Sequence, residues 1–303
     1  HAPRGVIYDR NGKILAQNEP AFRIGEKIIS REKAILLETS FDERAGQLEV
    51  DSLRKYPWGE KTAHVLGYIS EISKEELEKE GFRGYKLGSR VGRGGVEQAY
   101  EEILKGVDGG EVIETDSLGN KIRTLRRIDP VAGQNIRLTL DVELQEYVYE
   151  ELLGKLNEVK SCCGAAIIED PSNGDILSLV SFPSFDPQDV SLYLNAKDSP
   201  MLNRAIGGLY PPGSIFKIVS ALAGLESGKI SPSTQFEDTG ILRLGSFSFS
   251  NWFFTQYGKT EGMVDLKKAM QRSNDIYFYR VGMAVGEETL AEIARVLGLG
   301  KVI

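Results

Sequence analysis

Pro211-Pro212-Gly213 runs directly into Ser214-Ile215-Phe216-Lys217-Ile218-Val219-Ser220-Ala221-Leu222-Ala223. Two prolines and a glycine cannot be helix interior, because proline lacks the amide hydrogen of the ladder and glycine loses the most backbone entropy. The apolar run behind them, Ile215 to Leu225, has the length and composition of a buried helix. Break and run together fix a helix start and place Ser214 in its first turn. A helix N-terminus presents unpaired N–H groups and a partial positive charge. An alkoxide on Ser214, and the oxyanion it creates, are both stabilised there. Lys217 lies three residues on and shares a face with Ser214. Its neighbours Ile215, Phe216, Ile218 and Val219 are apolar, so desolvation is expected to lower its pKa and leave an amine able to take the serine proton. Ser-x-x-Lys is a common spacing, however, and also fits a capping serine followed by an exposed lysine.

The rest of the composition narrows the chemistry. A chain of 303 residues, 41% hydrophobic and 27% charged, is that of a folded protein of two or three domains. A net charge of -7 does not favour nucleic acid as a partner. No run of apolar residues is long enough to span a bilayer, and no signal-peptide pattern opens the chain. It begins with His1 instead of Met, so a trimmed N-terminal anchor is expected. Cys162 and Cys163 are adjacent, and a bridge between neighbours strains the peptide that joins them. We expect two small packing residues at the start of a buried strand. Histidine occurs only at His1 and His64, too few with two cysteines for a zinc site. A Ser-His-Asp triad would have to recruit His64, far upstream of any candidate serine. No metal or organic cofactor is expected.

Along the chain, Arg4 to Asn18 reads as a hairpin turning at Asn11-Gly12. Ser30 to Ser40 has helical character, Tyr56 to Gly59 a loop, and Lys74 to Lys79 an exposed helix capped by Ser73. Gly92 to Gly95 leads into an amphipathic helix, Val96 to Leu104, and a hairpin follows around Leu118-Gly119-Asn120. From about Asn135 a second region begins: a strand, a helix from Val142 to Val159 capped by Asp141, then two strands paired across the Pro171-Ser172-Asn173-Gly174 turn. After a proline-rich loop to Pro187 the chain reads as helical and glycine-punctuated to its end. The expected class is α+β, with domains 1–134 and 135–303.

The segment Tyr210-Pro211-Pro212-Gly213-Ser214-Ile215-Phe216-Lys217, with Asn203-Arg204-Ala205 ahead of it, resembles the active-site segment of the class B penicillin-binding proteins. Ser-x-x-Lys is a known signature of these enzymes. Arg4 to Gly12 is similar to the opening of their extracytoplasmic part. Arg54-Lys55-Tyr56-Pro57, His64 to Tyr68 and Gly92 to Tyr100 resemble their elongated pedestal domain, a dimerisation-type domain of short strands and helices that does not bind penicillin. Asp170-Pro171 through Leu177, and Phe182 to Pro187, look like the first strands of the transpeptidase domain, an antiparallel sheet with helices. The family's second motif, Ser-x-Asn, is matched by Ser273-Asn274-Asp275. Asp in its third place resembles the elongation-type branch, the penicillin-binding protein 2 group. Ser273 also fits a helix N-cap. The third motif, Lys-Thr/Ser-Gly, is missing. Gly258-Lys259-Thr260-Glu261-Gly262 has Glu where Gly is needed, precedes the second motif, and reads as a surface loop. Family stretches look shortened after Ile24 and between Leu192 and Met201, so a fragment is expected, ending before the third motif.

The resemblance implies D,D-transpeptidation during cell-wall synthesis and cell elongation. Ser214 attacks the D-Ala-D-Ala bond of a stem peptide, and an amine on a neighbouring strand resolves the acyl-enzyme. Lys217 acts as base, Ser273 and Asp275 relay protons and position substrate, and β-lactams acylate Ser214. Trp252 reads as core with a place at the cleft as the alternative. The implied partners are peptidoglycan stem peptides, glycan strands derived from lipid II, and a RodA-like glycan polymerase of the SEDS class. The implied location is the outer face of the plasma membrane, in the periplasm or extracytoplasmic space, held by a single N-terminal helix. Two other readings stand beside this one: a binding module that activates the polymerase, and a D,D-carboxypeptidase with water as acceptor.

Overall fold

The hairpin at Asn11-Gly12 forms as its turn chemistry dictates. Asp9 Oδ1 accepts from the amides of Asn11 and Lys13, and the reversal joins β1 (Ile7–Tyr8) to β2 (Ile14–Ile24). The computed structural model describes all residues except 1, 26, 41, 43–47, 80–83, 87, 116–120 and 302–303. It packs as two units, His1–Gly208 and Leu209–Ile303.

In the first unit β2 runs well beyond the hairpin and pairs antiparallel with β3 (Lys27–Ser30) and β4 (Glu49–Lys55). Ser30 caps α1 (Arg31–Thr39). Next come α2 (Ala63–Leu66), β5 (Tyr68–Glu71) and α3 (Lys74–Leu77), the last opened by a reciprocal Ser73–Glu76 capping box. β5 pairs with β6 (Arg90–Arg93). The single helix expected over Val96 to Leu104 is two, α4 (Gly95–Ala99) and α5 (Glu101–Leu104), broken at Tyr100, whose φ of -110° is not helical. β7 (Gly110–Thr115) and β8 (Lys121–Ile128) make the expected second hairpin; its Leu118-Gly119-Asn120 turn lies outside the described residues. β9 (Ile136–Arg137) then returns to pair parallel with β1.

Asp141 accepts from the amides of Glu143 and Leu144 and opens α6 (Val142–Val159), the helix read from the sequence. Its buried positions Val142, Gln145, Tyr149 and Leu156 lie along one face. Gln145 is 1% exposed, yet both ends of its amide are satisfied, by Lys61 and Leu179 carbonyls and by Ser178 and the Leu179 amide. β10 (Gly164–Glu169) and β11 (Ile176–Phe182) pair antiparallel beside α6, and α7 (Arg204–Gly207) closes the unit. Ile7, Leu15, Leu66, Leu104, Leu140 and Val142 belong to one buried cluster, each large aliphatic contributing about 1.5–3 kcal/mol. The cysteine expectation is corrected. Cys162 and Cys163 are joined in a disulfide, and Cys162 is exposed in the turn before β10 instead of packed in a strand.

The second unit holds α8 (Lys217–Glu226), β12 (Phe236–Asp238), β13 (Ile241–Leu244), β14 (Phe247–Ser250), α9 (Trp252–Tyr257), β15 (Gly262–Val264), α10 (Leu266–Arg272), α11 (Asp275–Val285) and α12 (Glu287–Val296). The helical reading of this region missed its strands. β12 pairs with β15, and β13 with β14, in two short antiparallel ribbons. They are only three or four residues long, too short for a clear alternation of apolar and polar side chains. Val264, Leu266, Ala269, Tyr277, Phe278 and Val281 share the unit's core with Ala221 of α8.

Candidate active site

Gly213 takes φ +56°, a conformation open to glycine, and turns the chain into a short 3-10 segment, Gly213–Phe216. The α-helix proper begins only at Lys217, two residues into the run that the sequence marked from Ile215. Ser214 stands exposed on this tight turn. Buried Val219, Ala221, Ala223 and Gly224 fix α8 in the core, so Lys217, half-buried at its start, has a defined place.

From the other side comes the junction of α10 and α11. Ser273 ends α10 in the left-handed region, at φ +51° and ψ +43°. A non-glycine residue pays about 1–2 kcal/mol for this conformation. The bend turns Ser273 Oγ toward Ser214, donating at 3.0 Å. The cap of α11 is Asn274, whose side chain accepts from the Tyr277 amide, so the N-cap expected at Ser273 sits one residue on. Asp275 is the first residue of α11.

These pieces converge on Lys217. Its Nζ donates to Ser273 Oγ at 2.9 Å, to the Ser273 carbonyl at 2.7 Å and to Asp275 Oδ1 at 2.5 Å. Phe278 lies beneath, its ring centre 5.8 Å from Nζ. The wholly apolar setting expected for Lys217 is corrected: three oxygens face its three N–H bonds, because the α10–α11 junction carries its polar groups to the same spot. All four predicted residues, Ser214, Lys217, Ser273 and Asp275, are brought together. A continuous chain of contacts leads from Ser214 through Ser273 to Lys217 and Asp275.

Asp275 is held at both oxygens. Oδ2 accepts from the Trp252 amide at 3.0 Å, and its own amide donates to Asn251 Oδ1 at 3.2 Å. Burial and then the Asp275 charge push the Tyr279 phenol up, so it stays neutral beside the site. Trp252 is exposed instead of core; its Nε1 donates to the Arg272 carbonyl and the Arg272 guanidinium stacks over its ring at 5.5 Å. The sequence reading missed the part played by two residues. Asp238, 3% exposed, accepts from Asn251 Nδ2, Asn274 Nδ2 and the amides of Gly240 and Glu261. Glu261, read as part of a surface loop, turns inward and binds Arg272 and Asn274. Nothing local marks these residues; Asp238 and Asn274 meet across 36 positions. The described residues contain no His/Cys/Asp/Glu group that could hold a metal.

Comparison with known proteins accords with this geometry. The family description "Penicillin binding protein transpeptidase domain" matches residues 164–303, and "Penicillin-binding Protein dimerisation domain" matches residues 1–42 and 23–138. A Salmonella typhimurium protein, peptidoglycan D,D-transpeptidase MrdA, is 32% identical over 359 residues, covering 98% of this chain and 56% of the relative. The chain thus spans a little over half the length of such relatives. The alignment has more positions than this chain has residues, so the relative carries insertions. Pseudomonas aeruginosa PBP2, solved in complex with WCK 5153, superposes with a TM-score of 0.72 at 29% identity, over 100% of this chain and 57% of that one. A chain from a structure titled for coordination of polymerization and crosslinking by a peptidoglycan synthase complex gives 0.76 at 29% identity, over 100% and 60%.

Proposed function

This chain belongs to the penicillin-binding proteins, class B and of the penicillin-binding protein 2 type, and on that premise we propose that it carries the nucleophile of a peptidoglycan D,D-transpeptidase. The observation that supports this most is the contact chain Ser214–Ser273–Lys217, with steps of 3.0 and 2.9 Å.

Ser214 Oγ attacks the carbonyl carbon of the D-Ala-D-Ala peptide bond. In this reading Lys217 enters the step as the free amine: the Ser214 proton passes through Ser273 Oγ onto its electron pair, giving the ammonium whose three N–H bonds face the three oxygens, and then returns by the same path to the departing D-alanine nitrogen. An amine of a second stem peptide then attacks the acyl carbon, and Ser214 recovers its proton. Asp275 orients Lys217 and, held at both oxygens, is a positioning residue in this reading more than a substrate contact. β-Lactams acylate the same serine.

In the same proposal residues 1–134 form the pedestal and 135–303 part of the transpeptidase region; the family matches end at 138 and resume at 164. The pedestal engages a RodA-like glycan polymerase of the SEDS class, and the protein works outside the cytoplasm, anchored in the membrane by a segment of the longer protein. Among the described residues no helix is long and apolar enough to cross a membrane. The test is labelling of the full-length protein with a fluorescent penicillin and mass-spectrometric mapping of the adduct. Label on Ser214 that disappears in Ser214→Ala is the expected result. Folded protein that takes no label, or takes it elsewhere, overturns the assignment.

A further inference from the structure

Asp238 ends β12, opposite Gly262 in the ladder with β15, and is buried. The acyl-transfer steps make no use of it, yet its two oxygens meet four N–H donors. Oδ1 accepts from the Gly240 amide at 2.9 Å. Oδ2 accepts from Asn251 Nδ2 at 2.9 Å, from the Glu261 amide at 3.0 Å and from Asn274 Nδ2 at 3.1 Å. Burying a carboxylate is costly unless its lone pairs are met, and here both oxygens are. A carboxylate only accepts, so each asparagine must turn its NH2 toward Asp238 and its oxygen away. Asn251 and Asn274 are both fully buried, which leaves these amides no solvent to turn to instead. The oxygen that Asn251 turns away accepts from the Asp275 amide at 3.2 Å. The oxygen of Asn274 accepts from the Tyr277 amide at 2.9 Å and caps α11. Trp252, next in the chain to Asn251, gives its amide to Asp275 Oδ2, which leaves Oδ1 for Lys217 Nζ. A buried path therefore runs from Asp238 through Asn251 and Asp275 to Lys217. A second runs through Asn274 to its neighbour Ser273, which is bent to φ +51° and stays there only inside an enforcing frame.

We propose that Asp238 is a positioning residue for the acyl transfer assigned to Ser214: its carboxylate orients the side-chain amides of Asn251 and Asn274, and these fix Asp275 and Ser273 against Lys217. Proton transfer between Ser214 and Lys217 depends on contacts of 3.0 and 2.9 Å through Ser273, so a small displacement of the α10–α11 junction breaks the relay while the fold persists. Asp238 itself meets neither the serine nor the lysine; it acts through the groups that do.

The inference rests on the reading of Ser214 as nucleophile, and the test separates the two. The full-length parent protein is first acylated with a fluorescent penicillin and the adduct mapped; absence of label from Ser214 overturns that reading and this proposal with it. With Ser214 labelled, acylation followed over a range of penicillin concentrations gives the non-covalent dissociation constant and the rate constant of the covalent step separately. Asp238→Asn keeps the shape but offers NH2 where an acceptor stood. Its covalent rate constant should fall by about tenfold to a hundredfold, the effect of a small misplacement, with the dissociation constant at the parent value. Asn251→Ala leaves the carboxylate and cuts the link to Asp275; it should slow the same step, and it decides the matter should Asp238→Asn not fold. Ile230→Ala, at a buried position of the same unit outside the network, is the control: it should lower the unfolding temperature and acylate at the parent rate. A purely structural role for Asp238 would reduce the fraction of protein that labels at saturation and leave the rate constant of that fraction unchanged, and this result overturns the proposal. Slowing in Ile230→Ala equal to that in Asp238→Asn overturns it as well.

Discussion

Ser273 carries two burdens that pull in opposite directions. Its hydroxyl bridges Ser214 and Lys217, and its backbone is bent into a conformation natural to glycine. Strain of this kind persists where surrounding structure enforces it and often marks a working site. Substitution can separate the two burdens. Ser273→Ala removes the hydroxyl and keeps the strain; Ser273→Gly removes both. Both variants should slow acylation by a fluorescent penicillin by roughly 10²–10⁴-fold, the usual worth of a proton-transfer group. Their stabilities should differ, with the glycine variant more stable than the alanine variant by up to about 1 kcal/mol once the unfolded-state entropy of glycine is subtracted. Urea denaturation monitored alongside acylation kinetics checks both halves. Equal stability of the two variants would remove the strain argument, and undiminished acylation would remove the relay.

At the scale of elements, the site depends on how α8 meets α11, since one carries Lys217 and the other Asp275. Gly224 lets them approach: a Cβ there would come within 2.8 Å of Ile230 and 3.0 Å of Val281. Gly224→Val should therefore destabilise the second unit by about 1–3 kcal/mol through overpacking, and slow acylation by shifting Lys217. Thermal unfolding and penicillin labelling of the same sample measure the two effects. In the first unit the corresponding joint is Glu97 of α4 between Arg4 and Arg54 of β4. Glu97→Ala leaves two buried guanidinium groups short of a partner and should destabilise by about 3–5 kcal/mol, read from a urea midpoint. Elements with local signals could be read in the sequence: α6 from Asp141 and its long apolar face, β10–β11 from their turn, and the start of α8 from two prolines and a glycine. What could not be read was set by partners distant in sequence. β2 extends to Ile24 because β3 and β4 pair with it, and Asp238 becomes a hub only when Asn251, Glu261 and Asn274 arrive around it. Ser214 and Lys217 stood out because their motif also breaks the local structure; the Lys217–Asp275 contact, across 58 positions, did not.

For the molecule as a whole, acidity should act on the two units unequally, because both histidines lie in the first. His64 is held below its ordinary value of 6.5 by burial, opposed by its bond to the Pro200 carbonyl and reinforced by the Arg204 charge. Because a carbonyl only accepts, Nε2 carries the proton; Ser184 Oγ gives its single hydrogen to the Glu60 carbonyl at 2.7 Å and only approaches Nδ1, at 3.5 Å. Phe185 closes over the ring at 5.2 Å. Above about pH 6.5 folded and unfolded His64 are both neutral, and its contribution is intact. As pH falls below that value the unfolded chain takes up a proton that the folded unit refuses, and stability declines until the lower folded pKa is reached. The slope cannot exceed about 1.4 kcal/mol per pH unit from one histidine. A second window opens only below 4.5, where carboxylates held down by partners begin to matter. Glu76 is one, lowered to about 2 by its hydrogen bonds from Arg93 and then from the Ser73 amide. Calorimetry from pH 7.5 to 5 should therefore show the transition of the first unit moving to lower temperature while that of the second stays in place. His64→Gln, which keeps a donor for Pro200 and does not titrate, should hold both transitions still over this range. Movement of both units together in the parent, or an unchanged shift in His64→Gln, would mean that some group other than His64 senses the pH.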